Sequence, residues 1–164
     1  MKFYELAREC WSEPHADPAR LVRALSATDA KSVWALNHLI VYAYGEEPEP
    51  IKLSQWRWLV PTVSRALALD PQVMVPQLCA VIGESRHETS RQMDDFGWFT
   101  PDTKIYSLDQ KVLDGLFEDL PARRRFLESI LESATRTTPG RWPVDVREQV
   151  NAVLDLIRKS IGPG

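Results

Sequence analysis

Apolar residues along this chain recur at alternating steps of three and four, the period of a helix with one buried face. Phe3, Leu6, Ala7, Cys10 and Trp11 form the first such stripe. Asp17-Pro18 follows, an N-cap and a first-turn proline, ahead of Leu21, Val22 and Leu25. A third helix is predicted from Thr28 or Asp29, striped by Val33, Leu36, Ile40, Val41 and Tyr44, widened by Trp34 and stopped by Gly45. From Ser54 the residues Trp56, Leu59, Val60, Val63 and Leu67 fit a fourth, with Pro61 inside it to bend or split it. A short strand through Trp56-Arg57-Trp58 is the alternative, so residues 51–60 stay open between helix and strand.

Asp70-Pro71 repeats the Asp-Pro start, with Met74, Leu78, Val81 and Ile82 inside the helix and Pro76 bending its first turns. Glu84 to Asp95 is polar and predicts either an extension of that helix or a separate surface helix. Phe96 to Tyr106 reads as irregular, being punctuated by Gly97, Pro101 and Asp102. Ser107-Leu108-Asp109-Gln110 reads as a capping box before Val112, Leu113, Leu116 and Phe117. Pro121 opens a helix whose face holds Phe126, Leu127, Ile130, Leu131 and Ala134. Pro143 opens the last, striped by Val146, Val150, Val153, Leu154, Ile157 and Ile161. Its acids lie early, Arg158 and Lys159 late, and Gly162 follows, in keeping with the helix dipole.

These elements predict an all-α fold of about seven helices in a single domain, residues 1–164. Short proline-marked turns favour antiparallel pairs, either as an irregular bundle or as a short stack of helical hairpins. Between Asp17 and Gly83 the paired Asp-Pro starts and bent helices resemble a HEAT-type stack, without a repeat consensus. The resemblance implies repeats that bury their faces only against neighbours.

Composition changes this picture little. A hydrophobic share of 44% and a charged share of 26% are globular values. A net charge of −3 supplies no general attraction to nucleic acid or to acidic lipid. The apolar stretch from Val33 to Tyr44 is broken by Asn37 and His38 and is too short to span a bilayer. The start, Met1 to Glu5, has no signal core, so a cytoplasmic protein is expected. Cys10 and Cys79 are too few for a disulfide framework or a thiolate metal cage.

Candidate chemistry is sparse. Glu84 and His87, with Glu88 beside them, have the Glu-x-x-His spacing of di-iron bundles, but the second copy that chemistry requires is missing. Arg8 and His15 match the Arg-x4–6-His spacing of HEPN-type ribonucleases, although Pro14 turns His15 out of the helix that would aim both. His38 reads as a hydrogen-bonded histidine at the core edge. The scattered glycines form no phosphate loop, and no cofactor is expected. The basic run Arg123-Arg124-Arg125, with Arg136 and Arg141 further on, offers a nucleic-acid face. Glu128 and Glu132 are placed to turn it into a salt-bridged helix surface instead.

The aromatics carry the most information: Trp11, Trp34, Trp56, Trp58, Trp98 and Trp142 are many tryptophans for this length. Within stripes they read as core. Residues two apart on a helix cannot face one core, so one of Trp56 and Trp58 is expected to point elsewhere. Trp98-Phe99, flanked by Asp94, Asp95 and Asp102, is the second candidate contact. The expected function is a non-enzymatic interaction or accessory subunit that docks on a larger protein assembly through Trp56, Trp58, Trp98 and Phe99. By analogy with small helical proteins of bacterial systems, an immunity or defence component fits that role. A metal-dependent or HEPN-like nuclease and a nucleic-acid-binding module centred on Arg123, Arg124 and Arg125 are the alternatives.

Overall fold

The computed structural model describes residues 17–27, 36, 60–88, 103–117 and 119–162. Among them lie six α-helices: α1 (Pro18–Ala27), α2 (Val60–Leu69), α3 (Pro71–Ile82), α4 (Gln110–Leu116), α5 (Leu120–Ala134) and α6 (Val144–Ile161). A two-stranded antiparallel ribbon, β1 (Gly83–Glu88) and β2 (Thr103–Leu108), separates α3 from α4. The described residues are thus mostly helical, with one small sheet. Among the described residues no helix is long and apolar enough to cross a membrane.

The organising element is α3. Its sequence, PQVMVPQLCAVI, has almost no polar face, and a helix apolar all round belongs inside. Every residue from Met74 to Ile82 is buried, and the helix touches α1, α2, α4, α5, α6 and β1. Asp70 caps it, its side chain accepting from the Val73 N–H at 3.2 Å. Asp17 does the same for α1 through Ala19 N–H at 3.0 Å. Pro76 sits inside α3, as its place in the sequence requires.

One polar side chain enters this interior on the α3 side. Gln77 Oε1 accepts the N–H of Leu36 at 2.9 Å. That bond ties a residue far earlier in the chain to the central helix, and Leu36 itself is helical and buried. The remaining predicted positions of the third helix, and those of the helix through Phe3 and Trp11, lie outside the described residues.

Three sequence expectations are corrected. Glu84 to Glu88 form a strand where a helix over Glu84 to Asp95 was predicted; residues 89–95 lie outside the described residues. Gly83 closes α3 with extended backbone, φ −103° and ψ 141°, and β1 pairs with β2 in the register Gly83↔Leu108 to Glu88↔Thr103. Pairing between distant segments overrides the helical preference of Glu and Arg. For the same reason Thr103 to Tyr106, read as irregular, belong to β2. Ser107 pairs with Glu84 and so is no capping residue. Asp109 caps α4 instead, accepting from Val112 N–H at 3.2 Å.

Pro61 is helical, next to the first described residue of α2. Residues 51–59, including the choice between helix and strand there, lie outside the described residues.

The C-terminal helices lock onto α3 from one side. Phe126, Leu127 and Ile130 of α5 and Val150, Val153, Leu154 and Ile157 of α6 are all buried in one cluster with α3. Between them a turn of 3₁₀-helix, Pro139–Arg141, is fastened by Gln72. The Gln72 amide donates to Thr138 O at 3.1 Å and accepts from Thr138 N at 2.7 Å, a two-bond clasp on one backbone residue. Trp142 Nε1 completes it by donating to Gln72 O at 3.1 Å.

Candidate docking groove

Two helices far apart in sequence, α2 and α5, lie side by side against α3. Residues three, four, seven and eight apart share one face of a helix. On α2 that face carries Val60, Ser64, Leu67 and Ala68, and on α5 it carries Ala122, Phe126, Ser129 and Ser133. Serine and alanine are too short to close the space between the helices. An open groove of about 370 Å³ results.

Its floor is apolar: buried Leu67, Phe117 and Phe126. The two rings meet with centroids 5.2 Å apart at a 45° tilt, an arrangement that fixes both. The serine hydroxyls on the α5 side are turned inward to local partners. Ser129 Oγ donates to Phe126 O at 2.6 Å, and Ser133 Oγ accepts from Arg136 Nη2 at 3.3 Å.

The rim is charged and mainly cationic, with Arg125, Glu132 and Arg136 standing at it. Glu132 meets Arg136 at 3.4 Å, a loose exposed ion pair that contributes well under about 1 kcal/mol. Among the described residues Arg125 has no carboxylate or hydrogen-bond partner.

The Arg123-Arg124-Arg125 run does not act as one patch, because successive helical residues point about 100° apart. Arg123 turns to Asp114 at the end of α4 and is largely covered. Arg124 pairs with Glu128 at 2.8 Å, as its spacing predicts, and only Arg125 reaches the groove. Glu132, also expected near Arg124, is engaged by Arg136. Arg123 and Arg124 line a second, smaller depression of about 230 Å³ with Leu120, Leu127 and Ile161.

The other sequence candidates are placed as follows. Glu84, His87 and Glu88 lie on β1, so the i, i+3 spacing that stacks two ligands on a helix loses its meaning there. Among the described residues no three His, Cys, Asp or Glu side chains come together as a metal site. Cys79 is fully buried, and burial pushes its thiol up to about 12. A thiol so disposed is a core residue and no nucleophile. Trp142 is half-buried and held by Gln72. Trp56, Trp58, Trp98 and Phe99, along with Arg8, His15 and His38, lie outside the described residues.

Compared with protein-family models, with curated proteins and with solved structures, the chain matches none.

Proposed function

We propose that this chain is a non-enzymatic helical interaction subunit that docks on a larger protein assembly. The groove between α2 and α5 is the observation that carries this reading. The groove is open at its mouth, with small side chains along its walls above buried Leu67, Phe117 and Phe126 and charged residues at its rim, a make-up that suits a small contact surface better than an enclosed ligand cavity. Trp56, Trp58, Trp98 and Phe99 are assigned to the same role from the sequence, tryptophan being a frequent anchor at interfaces.

The architecture behind this reading is an irregular bundle around α3 in preference to a HEAT-like stack. Support comes from the central helix, which is covered on every side, whereas a helix of a hairpin stack meets only its partner and its neighbours in the row.

The test is affinity purification of the tagged protein from its native host, with co-purifying species identified by mass spectrometry. The expected result is a stoichiometric partner that is lost from Ala68→Trp, which fills the groove, and weakened in Trp58→Ala or Trp98→Ala. A protein that purifies alone, or a partner indifferent to all three changes, would overturn the reading.

A further inference from the structure

We draw no further inference here: the strongest candidate, the depression between the start of α5 and the end of α6 lined by Leu120, Arg123, Arg124 and Ser160, carries nothing because its two arginines are already paired, with Asp114 and Glu128, and nothing in the structure shows what covers the exposed Leu120 beside them.

Discussion

At Gly83 two helices and a strand meet with no room for a side chain. A Cβ there would lie 2.6 Å from Cys79 O and 2.6 Å from Val153 Cγ2. The first contact is backbone and the second belongs to a β-branched side chain with few rotamers to escape into. Gly83→Ala should therefore destabilise by about 1–3 kcal/mol, even though the backbone at this position is ordinary extended chain. Urea unfolding at fixed pH measures it, and wild-type stability in the variant would refute the close approach.

Cys79, one turn earlier, gives a second prediction through its proton. Its thiol is pushed from 9.0 to about 12 by burial alone. Below pH 9 the thiol is protonated folded and unfolded alike, and contributes no pH dependence. Above pH 9 the unfolded chain ionises while the folded chain keeps its proton, so stability falls by about 1.4 kcal/mol per pH unit until the folded thiol titrates. Cys79→Ala should lose that added slope between pH 9 and 10.5, measured as the difference between paired urea titrations. Parallel curves for the two proteins would contradict it.

Among the elements, what the sequence discloses depends on whether the signal is local. α1, α3, α5 and α6 carry their own stripes and their own starts, Asp-Pro, a first-turn proline or, in α6, Pro143 just before the helix, and form where expected. The ribbon carries no such signal. Glu84-Ser85-Arg86-His87-Glu88 has neither apolar alternation nor β-branched residues, and it is a strand only because Thr103 to Leu108 pairs with it. Ser107 shows the cost of reading locally, since a plausible cap is already committed to the ladder.

The Gln72 clasp is hidden for the same reason, because its partner is 66 residues away. It holds the link between α5 and α6 by two hydrogen bonds to Thr138, both exposed, so their net worth is modest. Gln72→Ala should lower stability by about 1–2 kcal/mol. It should also accelerate hydrogen exchange at the Thr138 N–H without exposing the α3 core. Unchanged protection at Thr138 would show that the clasp does not restrain the turn.

Over the described residues, the helices around α3 bury most of their large apolar side chains, Leu69, Leu120 and Val144 excepted, and bring short side chains together along the walls of the groove. It escaped the sequence because Ser64 and Ser129 are unremarkable on their own helices and become a wall only when α2 and α5 are brought together. A site of this kind separates stability from function. Ala68 is exposed on α2, and a larger apolar side chain there can lie along the Leu67 and Phe126 floor without disturbing the packing beneath. Ala68→Leu should thus leave the melting temperature unchanged or raise it by a few degrees, since partial burial of a leucine contributes about 1 kcal/mol. The same change should weaken capture of a groove-binding partner at least tenfold. Core positions behave in the opposite way: truncating Ile130, on the buried face of α5, should cost about 2–5 kcal/mol whether or not a partner is present. If Ala68→Leu instead destabilised the fold, the small residues would be there for close helix packing and the space above them would have no occupant to wait for. A tighter fold that no longer binds would mark the groove as a surface kept open for a partner, at some expense in stability.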